Sequence, residues 1–292
     1  MNIITKFGLN LLQRARLDRL TIKTLNNKFF NSVMLKYCWQ KRDYASFFEQ
    51  YRDWKKKLDG NNISFKDKRI LEIGAGSSVG LGYFFLADDF NFWLSTDLYN
   101  DLKTNINLIK KEGRLLEEIR KNYNKNIFNE ARVEENKMVF GKRFGFERLQ
   151  VADLKEELIE KFDIIISSAM LEHVERDSVK KALANLKSYL KNSGLMIHEI
   201  DLKDHINAAN PFSFYKYSQK EWNSFASQTI FYSNRLRWAD YLKIFNELNF
   251  GVEFLETRTK ALPSNLKIDE AFSGYKKEEL EIVQVFVILR KL

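Results

Sequence analysis

The sequence predicts an α/β fold in which helices cover a mostly parallel β-sheet. The segment KRILEIGAGSSVGLG contains a short apolar run, Arg69–Ile73, followed by Gly74, Gly76 and Gly80. An apolar strand that leads through a glycine-rich turn into a helix is typical of the first βα unit of a nucleotide-binding fold. Two later apolar runs, FWLST before Asp97 and FDIIISS, read as further strands, and the second is apolar enough to be buried on both faces.

The glycines and the nearby acids indicate what this turn binds. Gly74 and Gly76 allow a tight turn and the close approach of a ligand, because they carry no Cβ. The backbone amides after the turn begin a helix whose positive end faces the ligand. Glu72 precedes the first glycine by two residues, and Asp97 ends the next strand. A carboxylate at that strand end can accept hydrogen bonds from both hydroxyls of a ribose.

These motifs resemble those of the class I methyltransferases that use S-adenosylmethionine (SAM). Their first motif is an apolar strand, an acid and G-x-G, as in LEIGAG, and their second is an acid at the end of strand 2, as in LSTDL. The resemblance implies a Rossmann-like sheet of seven strands, mostly parallel with an antiparallel last strand, preceded by a helical N-terminal extension. It also implies that the protein is an enzyme with SAM as cofactor.

The resemblance assigns cofactor contacts residue by residue. Asp153 would accept a hydrogen bond from the adenine amino group, with Leu154 against the ring; the alternative is that Asp153 caps a helix over LKEELIEK. Carbonyl groups near Ser168 and Ala169 would meet the methionine amino group. The full set of predicted cofactor residues is Glu72, Gly74, Ala75, Gly76, Asp97, Leu98, Asp153, Leu154, Ser168 and Ala169.

Composition limits the class of protein. The chain has 292 residues, 45% of them hydrophobic, which suits one large domain or one domain with appendages. A single cysteine, Cys38, excludes an internal disulfide framework. With no apolar run of about 18 residues and no signal-like N-terminus, we expect a cytoplasmic protein.

The net charge of +9 is concentrated in the N-terminal part. Residues 1–60 contain 13 Lys and Arg against 5 acids, whereas the rest contains 35 against 34. We therefore expect two parts, a basic helical cap at 1–62 and a methyltransferase domain at 63–292, and no nucleic acid as partner. The stretch 3–20 has apolar residues at helical spacing and three arginines, so it either lies on an anionic membrane or packs on the body or a second subunit of a homodimer.

The domain has one long departure from a minimal fold. About 50 residues, 98–145, replace a short crossover, which we interpret as an insertion: a charged helix over 105–125, then a polar irregular stretch over 126–143. It is either a solvated decoration or a functional element, namely a lid or a surface for a partner. Farther on we expect a third strand at 146–151, a helix at 177–191 ended by Asn192-Ser193-Gly194, a strand at 195–200 and a helix at 235–248.

The acceptor side of the site is predicted from two regions. The sequence LEHV resembles a motif that follows strand 4 in many of these enzymes, which places His173 near the transferred methyl group; a structural role is the alternative. The segment 201–234 lies over the cleft and contains Asp201, Asp204 and His205. His205 is the first candidate for general base, oriented by Asp204 or Asp201. These three side chains could instead hold a divalent metal, although we predict no metal.

The same region supplies the predicted substrate contacts Asp201, Tyr215, Arg235 and Arg237. The arginines suit a phosphate or carboxylate on the acceptor, or else form surface ion pairs. The aromatic PFSFYKY stretch either stacks on a sugar or packs on the body. The series D-H, PFSFY, EW and NRLR-x-x-DY resembles a methyltransferase subgroup associated with bacterial surface polysaccharides and glycans.

We therefore predict a methyltransferase that acts on a hydroxyl of a sugar or glycan precursor. The alternatives are a lipid-linked or other small molecule at the membrane, an RNA acceptor, and a SAM-binding protein without catalysis.

Overall fold

A computed structural model describes residues 43–76, 78–98, 102, 105–122, 131–135, 137–207, 209–226 and 232–292. The predicted amphipathic helix at 3–20 and Cys38 lie outside the described residues. No helix in the described ranges is long and apolar enough to cross a membrane. The helices are α1 (Tyr44–Gly60), α2 (Gly80–Phe85), α3 (Ile106–Asn122), α4 (Val179–Tyr189), α5 (Gln219–Ala226), α6 (Trp238–Glu247) and α7 (Lys277–Leu280).

A seven-stranded sheet forms the centre of the domain, in the order β5-β2-β1-β6-β7-β9-β8. Strand β9 runs antiparallel to both β7 and β8, and the pairings among β5, β2, β1, β6 and β7 are parallel. A two-stranded hairpin, β3-β4, stands apart from it. The strands are β1 (Arg69–Ile73), β2 (Phe92–Asp97), β3 (Ala131–Glu134), β4 (Lys137–Phe140), β5 (Phe144–Arg148), β6 (Phe162–Ser168), β7 (Leu190–Asp201), β8 (Phe250–Thr259) and β9 (Ile282–Lys291).

The strand order reverses at β1, which pairs with β2 on one side and β6 on the other. In open parallel sheets the ligand binds at such a switch point, outside the carboxyl ends of the strands. Those ends carry the glycine turn after Ile73, Asp97 at the end of β2 and Ser168 at the end of β6. The predicted fold class, with its antiparallel last strand, is confirmed.

Each face of the sheet buries its own apolar core, because successive side chains of a strand point to opposite faces. One core packs under α1, α2 and α3 and includes Ile70, Trp93 and Ile166. The other packs under α4 and α6 and includes Leu71 and Ile165. A smaller third cluster joins α5 to the segment before β9; its fully buried members include Phe214, Tyr215 and Trp222.

Helix α1 is fixed to the body by aromatic contacts. The rings of Tyr44 and Tyr51 lie 5.4 and 5.7 Å from that of Phe84 on α2. Trp54 packs edge-on against Phe286 of β9 at 5.2 Å. Thus the aromatic residues of α1 belong to the core on the sheet's first face or pack against it. Asn62, at the predicted boundary, lies between α1 and β1 with a positive φ of 56°.

Several predicted elements differ in the structure. The stretch 126–143 was predicted to be irregular, but its described residues form the β3-β4 hairpin, with Ala131 paired to Phe140. Helix α3 itself is the crossover from β2 to β5, so the hairpin is the added part. The third strand begins earlier than predicted, at Phe144, because Phe144 and Phe146 are the residues that face the core.

Three helices expected from the sequence also differ in the structure, one by its absence and two at their ends. No helix follows Asp153, only a 3-10 turn at Glu156–Leu158. The triplet predicted to end helix α4 lies within β7, where Ser193 accommodates a positive φ of 57°. Helix α6 begins at Trp238 rather than at residue 235, since Arg235 itself has a positive φ of 58°, which helical geometry does not allow.

Candidate functional site

The glycine-rich loop leaves β1 in a conformation that only glycine adopts readily. Gly74 and Gly76 have φ of +73° and +71°. The amides of Gly74 and Ala75 both donate to the carbonyl oxygen of Thr96 at 2.9 Å, which ties the loop to the end of β2. The amide of Gly76 donates to Oδ2 of Asp97 at 3.0 Å. Glycines and acid, predicted separately from the sequence, thus form one unit.

The two glycines face different surroundings. A Cβ on Gly74 would lie 2.5 Å from Cγ of Met170, in the turn after β6. A Cβ on Gly76 would meet nothing within 4 Å. Gly74 therefore allows two strand ends to pack together, whereas Gly76 leaves open space beside the backbone amides and Asp97, as a nucleotide ligand requires.

Glu72 does not face this open space. Its Oε2 accepts hydrogen bonds from Nε1 of Trp93 at 3.0 Å and from Oγ of Ser95 at 2.6 Å. The side chain is 7% exposed. Glu72 therefore acts from the helix side of the sheet, where it braces β1 against β2, and a direct contact with the cofactor is not what this geometry favours.

The predicted adenine residues are on the surface. Asp153 is exposed, and no helix follows that it could cap, so the structure removes the alternative. Leu154 is 50% exposed. Leu98, which follows Asp97, is half-buried. An exposed apolar side chain can pack against the face of a purine ring, and an accessible carboxylate beside it can accept a hydrogen bond from the edge of that ring.

The end of β6 forms the other wall. Ala169 is exposed and has a φ of +50°, and its amide donates to the carbonyl of Glu199 at 2.8 Å. Oγ of Ser168 accepts a hydrogen bond from Nε2 of Gln50 on α1 at 2.7 Å. Glu199 accepts from Nε1 of Trp54 at 2.8 Å. Sequence analysis missed Gln50 and Glu199, because nothing in a helical or strand pattern marks which polar residue reaches a neighbouring strand end.

The structure brings together the two predicted catalytic histidines, which are 32 positions apart in the sequence. The ring centroids of His173 and His205 are 4.9 Å apart. Nδ1 of His173 lies 2.7 Å from the carbonyl oxygen of Tyr232; it must donate there, which leaves Nε2 as the acceptor of the neutral ring. His205 is 18% exposed, so its ring can be reached from the cleft.

Asp201 is the carboxylate that faces His205. Its Oδ2 lies 3.6 Å from Nε2 of His205, an ion-pair distance rather than a hydrogen bond, and 3.0 Å from Nζ of Lys203. Burial alone would lower the pKa of His205, but the carboxylates of Asp201, Glu172 and Asp204 outweigh it and raise that pKa. Burial opposes ionisation of Asp201 as well, yet His205 and Lys203 lower its pKa to about 2.

Glu172 lies beneath this pair and was not among the predicted site residues. It is 1% exposed, and its Oε1 accepts from the Asp201 amide at 3.3 Å. Burial raises the pKa of Glu172 to about 8. The LEHV motif that drew attention to His173 contains Glu172, so the signal was present. The buried acid supports the strand end that presents Asp201.

Asp204 does not orient His205 as one alternative had it. Its carboxylate accepts from the amides of Ile206 and Asn207 at 2.8 and 3.0 Å and from Oγ of Ser213. Asp204 thus closes the turn after His205, and a catalytic role for it is not supported. Of the two predicted orienting residues, the structure places Asp201 in position.

The predicted anion-binding arginines are inside the protein. Arg235 and Arg237 are 1% and 2% exposed. Arg237 donates to the carbonyl oxygen of Leu202 at 3.1 Å through both terminal nitrogens and to the Tyr215 hydroxyl at 2.8 Å. Because these donors are already used, a phosphate or carboxylate on the acceptor has no route to them.

Arg235 and the aromatic stretch are likewise structural. Arg235 donates to the carbonyls of Phe214 and Tyr217 at 3.2 and 2.6 Å and lies between the rings of Trp222 and Phe272 at 5.3 and 5.0 Å. The aromatic residues therefore pack on the body, the second of the two alternatives. Tyr215, predicted to contact substrate, donates its hydroxyl hydrogen to the carbonyl of Leu280 at 2.9 Å.

The arrangement suits SAM and gives no support for a metal. Open space at Gly76, Asp97 at the end of β2 and exposed Leu154 after β5 all follow the carboxyl ends of parallel strands, where such a sheet binds a nucleoside. Within the ranges described above, no group of three or more His, Cys, Asp or Glu side chains is arranged to hold a metal ion.

Residues 44–251 match the sequence profile of a family described as a methyltransferase domain. No curated protein sequence matches the chain.

Solved structures with the same fold include a proposed sarcosine dimethylglycine methyltransferase from Galdieria sulphuraria, at 12% identity over 84% of this chain and 86% of that chain, with a TM-score of 0.50. They also include SAM-dependent methyltransferases from Mesorhizobium loti (14% identity, 80% and 95% of the chains, TM-score 0.47) and Methanosarcina mazei (13%, 80% and 97%, 0.48). At such identities the likeness concerns the fold.

The match to the family profile covers most of the domain and includes α1, the sheet as far as β8, and both halves of the site. It confirms the prediction of a methyltransferase. The chain belongs to the methyltransferase domain family.

Proposed function

We propose that this enzyme methylates a hydroxyl group of a sugar or glycan precursor, with His205 as general base and Asp201 as the residue that orients it. The observation that carries the proposal is the pair itself: a partly exposed histidine 3.6 Å from a carboxylate, beyond the ends of β6 and β7.

The chemistry explains why a base belongs there. SAM, when bound, supplies a methyl group that its sulfonium already activates for in-line displacement. A sugar hydroxyl is a poor nucleophile until its proton is removed, so the protein has to position the acceptor and take that proton. Since Nε2 of His205 faces Asp201, Nδ1 is the nitrogen that would accept it, and the charge formed on the ring is stabilised by Asp201.

His173 serves a different purpose in this proposal. Its Nδ1–H is held by the Tyr232 carbonyl, and its ring lies 4.9 Å from that of His205. It fixes the segment around Tyr232 over the cleft and gives the acceptor a second hydrogen-bond partner through Nε2. If His173 were the base instead, its replacement would reduce turnover more than that of His205.

The choice of a sugar rests on the resemblance of the 201–250 series to glycan-modifying enzymes, together with a hydroxyl-activating base. The arginines and aromatic residues of that series support the shape of the site from within. A lipid-linked acceptor, an RNA acceptor or the absence of turnover are the other outcomes of the test below.

We also propose that residues 1–62 form a cap whose helix α1 closes one side of the cofactor cleft. The hydrogen bond from Gln50 to Ser168 and that from Trp54 to Glu199 join α1 to the strand ends that the methionine part of SAM would meet. Membrane contact through residues 1–20 and the formation of a homodimer stay predictions from the sequence.

The test is transfer of a radiolabelled methyl group from SAM to a panel of nucleotide sugars, lipid-linked sugars and RNA. We expect nucleotide sugars to be labelled. His205→Asn should lower kcat by about 100-fold or more, with unchanged affinity for S-adenosylhomocysteine. His173→Asn is the matched variant and should lower kcat by less than about tenfold. Labelling of RNA or lipid-linked sugar alone would refute the acceptor, and full activity of His205→Asn would refute the base.

A further inference from the structure

Helix α3 places a buried acid directly behind the glycine-rich loop. Glu112 is 0% exposed and lies among the apolar residues with which α3 packs on the sheet, such as Leu108 and Leu116. An acid at such a position is costly, because burial penalises a carboxyl group that a leucine would replace without penalty. Neither the fold nor the acceptor chemistry described above requires it.

Its contacts are with the loop. Oε1 of Glu112 accepts a hydrogen bond from the amide of Val79 at 3.0 Å, and the Ser78 hydroxyl donates to the same carboxyl group. Oγ of Ser78 in turn accepts from the amide of Gly80, the first residue of α2, at 3.0 Å. One side chain of the crossover helix thus holds the end of the loop that begins at Gly74.

We propose that Glu112 is a positioning residue for the cofactor, which fixes the glycine-rich loop in its SAM-binding shape from helix α3. The open space at Gly76 keeps its shape for a ligand only when both ends of the loop are fixed. Thr96 and Asp97 hold the first end, as shown above, and Glu112 holds the second. The inference rests on the cofactor site and is independent of the identity of the acceptor.

The surroundings of Glu112 make this contact sensitive to pH. Burial raises the pKa of Glu112 to about 7, although the Val79 amide, the neighbouring side chains of Ser78 and Tyr83 and the charge of Lys111 act in the opposite direction. Beyond Tyr83 lie Glu72 of β1 and Arg120 of α3, which act on the Tyr83 hydroxyl in opposite directions. Because the loop hydrogen bonds favour the ionised acid, a ligand that holds the loop in place also favours ionisation. Affinity should therefore rise as the pH increases through this range.

The test measures affinity for S-adenosylhomocysteine, which needs no acceptor, by calorimetry on the full chain. Glu112→Leu removes the acceptor for the Val79 amide and should weaken binding by about tenfold or more. Glu112→Gln retains an oxygen at that position and should stay within about threefold of wild type near pH 6. Glu117→Leu, on the exposed face of the same helix, is the control and should bind as wild type does. Hydrogen exchange of the loop amides should be faster in Glu112→Leu alone.

Wild-type affinity in a folded Glu112→Leu variant would overturn the proposal. If that variant does not fold, the proposal is tested by measuring the affinity of wild type and of Glu112→Gln over the range from about pH 6 to pH 8.5. Affinity that rises with pH in wild type, and is flat in Glu112→Gln, supports the proposal; the same response in both proteins overturns it. Failure of the sugar assay would leave each of these results unchanged.

Discussion

The two glycines of the loop give a matched pair of substitutions whose effects on stability and on binding should separate. Gly74→Ala and Gly76→Ala each place an alanine at a φ just above +70°. A left-handed conformation costs a residue with a Cβ about 1–2 kcal/mol relative to glycine. Gly74→Ala also drives its Cβ to within 2.5 Å of Cγ and 2.8 Å of Cβ of Met170, an overlap that costs about 1–3 kcal/mol more.

Gly74→Ala should therefore lower the free energy of unfolding by about 2–5 kcal/mol, and Gly76→Ala by about 1–2 kcal/mol. For ligand binding we expect the opposite order, with Gly76→Ala as the more damaging of the two variants. The Cβ of Gly76→Ala occupies space that is otherwise open within 4 Å, beside Asp97. If the cofactor uses that space, Gly76→Ala should bind S-adenosylhomocysteine at least about tenfold more weakly although it stays folded.

Urea denaturation gives the unfolding free energies, and calorimetry with S-adenosylhomocysteine gives the affinities. The reasoning would be refuted if Gly76→Ala bound the ligand as tightly as wild type, since the open space would then lie outside the site. Equal stability of the two variants would show that Met170 yields to the added methyl group.

Three further substitutions test other parts of the account. Asp97→Ala should weaken binding of S-adenosylhomocysteine by roughly 1.5–3 kcal/mol, the value of a hydrogen bond to a charged group, and calorimetry showing no change would mean that the ribose lies elsewhere. Arg237→Met should lower the unfolding free energy, measured in urea, by about 1–3 kcal/mol for each acceptor that it leaves without a donor. The control is Arg258→Met, at an arginine whose side chain is 59% exposed, and it should change the unfolding free energy by less than about 0.5 kcal/mol. Neighbouring carboxylates raise the pKa of His205, so turnover should rise with pH, with a midpoint above the ordinary value of 6.5. Asp201→Asn should lower that midpoint. An unchanged midpoint would show that Asp201 does not act on the general base.

The cofactor half of the site was predictable from sequence because it depends on local chemistry. A strand, two glycines with positive φ and an acid at the end of the next strand lie within 29 positions, and the switch point of a parallel sheet brings them together without help from distant residues. The mostly parallel sheet with an antiparallel last strand followed from the resemblance of these motifs to those of class I methyltransferases. The proposed general base, His205, and the carboxylate that faces it, Asp201, also lie within one short segment of the chain.

The acceptor half was predicted less well because burial is decided by the whole fold. The sequence pattern of Arg235 and Arg237 is the same whether a guanidinium faces an anion or a carbonyl. Only packing against Phe214 and Phe272 shows that both are internal. Glu112 and Gln50 had no signal at all, since each is one polar residue in a helix of many and acts through a contact with a distant strand end or loop.

The central claim, a SAM site at the glycine-rich loop, is tested most directly by calorimetric titration of the purified chain with SAM and S-adenosylhomocysteine, with NAD as control. The account predicts that both adenosyl compounds bind with micromolar dissociation constants, that NAD does not bind, and that Gly76→Ala weakens both. Binding of NAD, or no binding of either adenosyl compound to folded protein, would contradict it.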